Sequence, residues 1–131
     1  MTVHRPEPDR DSCEWWERVA RGEFAVQRCA GCGADRFPAR AFCPVCRSEE
    51  WRWRAVPPEG RVESWIVSRQ PFVPGLATPY VVVMVGLAAV PGCLVHGNWR
   101  GGREPRGGER VRGVFRRVDA DLTLVDWEPA G

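Results

Sequence analysis

Apolar and polar positions change their period twice along this chain. The first ten residues, MTVHRPEPDR, are polar, hold two prolines and show no apolar period. They read as a mobile arm, with His4 a solvated side chain. A helical period follows from Ser12 to Arg21: Cys13, Trp16 and Ala20 share one face, with Trp15 and Val19 adjoining. Asp11 with Glu14 three residues on resembles a capping box, and Gly22 stands where a C′ residue belongs. A helix of this length is unstable alone, so it must dock. It either packs on its own ribbon or offers Trp15 and Trp16 to a partner.

Beyond the helix the period falls to two. Phe24 to Gln27 reads as a strand, Asp35 to Phe42 as an exposed loop stiffened by Pro38 and flanked by Arg36 and Arg40. Trp51, Trp53 and Ala55 alternate with Arg52 and Arg54, which predicts a half-buried strand. After Pro57-Pro58-Glu59-Gly60 come five more strand patterns: Val62 to Gln70, Tyr80 to Val90, Cys93 to Trp99, Arg110 to Val118 and Leu122 to Trp127. Val62, Ser64, Ile66 and Ser68 should share one face of the first of these, Trp65 and Val67 the other. Five short strands with an irregular third connection, RGGREPRGG, match an OB-fold barrel, although spacing alone also suits an unrelated five-stranded sheet. The fold class expected is mainly β: an N-terminal helix, a metal ribbon, then a five-stranded OB-fold barrel. The expected division is 1–23 for the arm and helix, 24–56 for the ribbon and 57–131 for the barrel.

The ribbon rests on cysteine. Cys29-Ala30-Gly31-Cys32 and Cys43-Pro44-Val45-Cys46 are two CxxC turns with ten residues between them, a spacing that lets four thiolates converge on one tetrahedral metal. Gly33 suits a knuckle because it lets the backbone curl back on the sulfurs. Disulfides are disfavoured because no apolar leader precedes the cysteines, which points to a reducing, cytoplasmic setting. Iron in a rubredoxin-like electron carrier would also suit four sulfurs; zinc in a structural role is the expected metal. Cys13 and Cys93 lie outside the quartet and read as small buried side chains.

Composition narrows the function. The 131 residues carry 19 basic side chains, all arginine, against 17 acids, so the net charge is +2 and no nucleic-acid footprint stands out. Without lysine, Schiff-base chemistry is closed. The motifs G-x-S-x-G, H-E-x-x-H, G-x-G-x-x-G and the Walker loop are missing, and a metal held by four cysteines keeps no open position for water. His96, the imidazole outside the arm, has no triad partner nearby in sequence. Asp119, Asp121 and Asp126 read as turn and surface residues. No catalytic residue is therefore expected. The apolar run Tyr80 to Val95 is too short to cross a membrane and is broken by Pro91-Gly92. Seven tryptophans suggest ring-filled cores or a contact surface. The loop with Arg100, Arg103 and Arg106 reads as solvated, though a guanidinium fork there could grip phosphate, with Trp99 offering a ring to stack.

Taken together, Trp15-Trp16-Glu17, Phe24 to Cys29, Cys32-Gly33, Phe37-Pro38, Cys43-Pro44-Val45-Cys46, Gly60 to Trp65, Pro79 to Val82 and Gly97-Asn98 resemble a known family. It is the acyl-CoA-associated OB-fold proteins with an N-terminal rubredoxin-like zinc ribbon, the domain of unknown function thirty-five family. Ala39 departs from the second proline common there, and the Gly/Arg loop is richer in glycine. The resemblance implies a non-catalytic subunit or fused domain that binds a thiolase-fold enzyme, a thiolase or a retro-aldolase, or accompanies a MaoC-type hydratase, with steroid side-chain degradation as one setting. Zn2+ on Cys29, Cys32, Cys43 and Cys46 is structural in this reading, and partner or CoA contacts are expected at Trp15, Trp16, Phe37, Trp99, Arg100 and Arg103, on the helix, the ribbon and part of the barrel. The rival reading is a single-stranded nucleic-acid module, since zinc ribbons and OB barrels both serve that role.

Overall fold

The computed structural model describes residues 5–71 and 73–131; His4 lies outside them. Among the described residues, one helix and eight strands form a three-stranded and a five-stranded sheet.

Helix α1 spans Cys13–Ala20. Its N-cap residue is Ser12, which makes no side-chain cap bond; instead, two residues before the expected Asp11, the Asp9 carboxylate accepts from the N–H groups of Asp11 at 3.0 Å and Ser12 at 2.8 Å in the turn that leads into the helix. No Asp11–Glu14 box forms, because Glu14 instead receives the Arg18 guanidinium at 2.9 Å, four residues on. The C-terminus closes as expected on Gly22 at φ 78°, whose N–H donates to Val19 O while Glu23 N–H donates to Arg18 O. The buried face also differs from the sequence reading. Trp15 and Val19 are buried, Trp16 is half-buried, and Cys13 and Ala20 are exposed. The reason is the docking partner: α1 packs chiefly on the last barrel strand rather than on the ribbon, which turns its seam by about one residue. The arm is also less free than its composition suggests, since Arg5 pairs with Asp119 at 2.7 Å.

The ribbon sheet has β1 (Ala25–Cys29) at its centre, between β2 (Asp35–Arg36) and β3 (Trp51–Ala55), both antiparallel to it. Gln27, fully buried on β1, holds the inter-knuckle loop by two bonds to the Arg40 backbone, donating to its carbonyl and accepting from its N–H. Arg36, expected on an exposed loop, is 5% exposed: its guanidinium lies 5.3 Å from the centre of the Trp51 ring and donates to Arg40 O. A cation is tolerated there because an aromatic face and a carbonyl replace part of its water.

The barrel comprises β4 (Glu59–Ser68), β5 (Tyr80–Leu87), β6 (Leu94–Asn98), β7 (Arg110–Asp119) and β8 (Leu122–Pro129), in the order β6-β5-β4-β7-β8. A single parallel bridge, Trp99 to Trp127, joins the two ends, supported by Arg100 N–H donating to Trp127 O at 2.8 Å. This is the OB arrangement anticipated. A bulge between Val62 and Ser64 reverses the alternation in β4, so Val62 and then Trp65 pack on the core while Ile66 is 62% exposed. The expected grouping of Val62 with Ile66 assumed an unbroken strand. Gly97 on β6 lies under Trp127: a Cβ there would come within 2.7 Å of the indole and 2.8 Å of the Val125 carbonyl.

One core joins helix, ribbon and barrel. Trp15 meets Phe24 of the ribbon at 6.1 Å and Phe37 at 5.6 Å, and Phe24 meets the fully buried Trp127 edge-on at 6.3 Å. Cys93, in the β5–β6 turn, is buried as expected, and burial pushes its thiol up from its ordinary pKa.

Candidate metal centre and binding groove

Each CxxC turn follows the same local pattern. In the first, Gly33 N–H donates to Cys29 O at 3.0 Å and Cys29 N–H to Ala34 O; in the second, Arg47 N–H donates to Cys43 O at 2.8 Å and Cys43 N–H to Ser48 O. Gly33 has φ 78° and Arg47 φ 68°, so the same left-handed residue closes both knuckles, once with glycine and once with a side chain. Backbone N–H groups point at sulfur: Gly31 and Cys32 at Cys29 Sγ (3.3 and 3.4 Å), Val45 at Cys43 Sγ (3.4 Å).

The four sulfurs converge. Cys29 and Cys46 Sγ lie 3.5 Å apart, Cys32 and Cys43 Sγ 3.7 Å apart, and all four fall within 4.8 Å of one another. A tetrahedron with Zn–S bonds of about 2.3 Å has sulfurs about 3.8 Å apart, so the donor set fits zinc in type, number and spread. The electrostatics point the same way. The Cys32 N–H, with that of Gly31, draws the Cys29 thiol down to about 6 against the opposing effect of desolvation. The Cys46 N–H lowers Cys43. At Cys32 the Ala34 N–H pulls down, but desolvation and the neighbouring thiols outweigh it and push the group up to about 11. A divalent cation removes that conflict by favouring thiolate at every position. Bound there, zinc would staple two turns that have little core of their own; with four sulfurs around it, it has no place for a reacting water.

The expected contact residues separate. Trp15 is 9% exposed and belongs to the core, so it is an internal anchor for α1. Trp16 and Phe37 are half-buried and border a slot of about 210 Å³ beside β6 that His96 and Asn98 also line. Trp99, Arg100 and Arg103 border a much larger groove of about 1280 Å³, open to solvent, whose apolar wall includes Leu76, Val82 and Leu124.

Within the groove the arginines differ. Arg103 is committed: it forks onto Glu109 at 3.0 and 2.7 Å, lies 5.9 Å from the Trp99 ring centre, and accepts the Trp99 indole N–H at its carbonyl. Its guanidinium holds Glu109 well down, at about 2. The Gly/Arg loop is therefore braced by its own side chains rather than solvated. Arg100 remains half exposed, its Nε 4.0 Å from Asp126. Asp126 was expected at the surface, yet it is 1% exposed and also takes the Arg116 guanidinium. The signal for it was a carboxylate in the otherwise apolar run Leu122 to Trp127; Arg116, Asp126 and Glu109 were all missed. His96 is exposed on β6.

The sequence matches the profile of the ChsH2 rubredoxin-like zinc ribbon domain over residues 16–52 and that of the ChsH2 C-terminal OB-fold domain over 53–116. It is 33% identical over 135 residues to the Mycobacterium tuberculosis 3-oxo-4,17-pregnadiene-20-carboxyl-CoA hydratase alpha subunit, covering 95% of this chain and 40% of that protein. The chain thus spans well under half of that relative. Among solved structures it superposes on a chain of the Ltp2-ChsH2(DUF35) aldolase with a TM-score of 0.87 at 32% identity, covering 97% of this chain and all of that one. A DUF35-family protein of unknown function from Sulfolobus solfataricus, 14% identical, shares the fold with a TM-score of 0.66 over 93% of this chain and 87% of its own.

Proposed function

The chain belongs to the ChsH2 family of rubredoxin-like zinc ribbons joined to an OB-fold, and from that premise we propose that it is a non-catalytic accessory subunit or domain. Its role is to bind and support a thiolase-fold enzyme, a retro-aldolase of the Ltp2 kind or a thiolase, that acts on acyl-CoA thioesters in steroid side-chain degradation. A MaoC-type hydratase would be the second member of such an assembly, in keeping with the hydratase relative. The observation that carries the reading is the full-length likeness to the chain found with an aldolase, combined with a four-sulfur centre suited to structure rather than to reaction. The open groove suits the ligand side of this role. Trp99 and the apolar wall can accept acyl or pantetheine surface, while Arg100, half exposed and less committed than Arg103, can meet an anionic group of the ligand. Arg103 serves by fixing Trp99.

The test is direct. Mixed with purified Ltp2 aldolase, the chain should co-elute in size-exclusion chromatography with light scattering and raise aldol-cleavage turnover; separate elution with unaltered activity would overturn the reading. In the complex, Arg100→Ala should weaken acyl-CoA binding by about tenfold in calorimetry. Equal affinity would remove the groove from the account.

A further inference from the structure

Large apolar side chains are left in water at few places among the described residues, and two of the four that stand out, Phe42 at 54% and Val45 at 72% exposure, occupy the second knuckle on either side of Cys43. The other two, Ile66 and Leu94, lie apart on β4 and β6. Neither Phe42 nor Val45 contributes to the core, so the fold alone gives no reason for them. The exposed charges of the ribbon segment that carries them lean one way. Arg28, Arg40 and Arg47 are exposed, and none makes an ion pair among the described residues, against Glu49 and Glu50 on one flank. Arg47 sits at φ 68°, where the first knuckle has Gly33. A cation is thus held at the tip in a backbone conformation that glycine adopts more readily.

We propose that this knuckle tip is a protein-docking surface, and that its occupant is an apolar depression bordered by carboxylates on the acyl-CoA-processing enzyme. The proposal rests on the accessory-subunit reading above and adds where the contact is made. Phe42 and Val45 supply the desolvated centre, and the arginines supply the rim that steers and orients. The four-sulfur centre fixes the turn that carries all of them, so docking depends on the metal without the metal touching the partner.

The experiment compares three proteins for binding to purified Ltp2 aldolase: the parent chain, the double variant Phe42→Ser with Val45→Ser, and Arg47→Gly, which keeps the left-handed residue unstrained. Zinc content and circular dichroism report whether each variant is folded. The double variant should bind at least about tenfold more weakly. Arg47→Gly should bind about threefold more weakly, with a shallower salt dependence. Parent binding that both folded variants retain in full overturns the docking site while leaving the accessory role standing. Failure of the parent itself to bind sinks the accessory reading, and the docking proposal with it. A single-stranded oligonucleotide that binds the parent and is lost in Arg47→Gly would overturn the proposal in favour of a nucleic-acid surface.

Discussion

Two irregular parts of the molecule, the knuckles of residues 29–48 and the loop of residues 99–109, hold their shape by opposite means. Both are rich in turns and both contain glycines at positive φ. In the loop the bonds are supplied by the chain: Trp99 onto Arg103, Arg103 onto Glu109, and Arg106 N–H onto Glu109. In the knuckles the backbone bonds shape each turn and Ala30 N–H reaches Glu50 O just past the second, but the side chains that meet between the turns are the four sulfurs, which a divalent cation holds together as thiolates. One region is thus self-sufficient and the other conditional, although sequence alone makes them look equally irregular.

Removing the metal should separate them most sharply. Chelation, or Cys29→Ser, is expected to abolish binding of about one zinc per chain and to lower Tm by about 10 °C or more, with amide protection lost first in β1, β2 and the knuckles. Elemental analysis with hydrogen exchange checks this; a Cys29→Ser chain that keeps its ribbon protection would end the idea of a metal staple. Next in size is Asp126→Asn, which leaves the Arg116 guanidinium without its buried carboxylate and should cost about 3 kcal/mol in denaturant unfolding while leaving zinc content unchanged. The smallest effect belongs to the self-braced loop. Glu109→Gln should shift Tm by no more than about 2 °C yet alter Trp99 fluorescence. Acid should show the same order. Because the folded pKa of Glu109 is depressed from 4.5 to about 2, its contribution is complete above about 4.5 and fades as pH falls toward 2. The sulfur centre, which needs deprotonated thiols, should release its metal at a higher pH than that.

The metal ligands were legible because a CxxC pair is a local motif whose chemistry is independent of the rest of the chain. The five barrel strands were legible from alternation between turn residues, and the family from the two combined. What escaped depends on contacts distant in sequence. The face of α1 is set by β8, more than 100 residues away, so a helical wheel centred on Trp16 pointed slightly wrong. The bulge after Val62 swapped Trp65 and Ile66 between core and solvent, and nothing in the alternation marks it. Arg36 and Asp126 were read as surface residues from their charge; each is buried because a ring, a carbonyl or a guanidinium from elsewhere replaces its water.

The barrel's two free margins, β6 and β8, meet at the parallel bridge between Trp99 and Trp127, beside the Arg100 N–H bond to Trp127 O and the close approach of Gly97 to the Trp127 ring. Those contacts form the latch that closes the cylinder. Because Trp99 and Arg100 also border the groove, whatever lodges in that groove lies across the latch. Occupancy should therefore slow the breathing of the whole seam, a readout of ligand that requires no turnover.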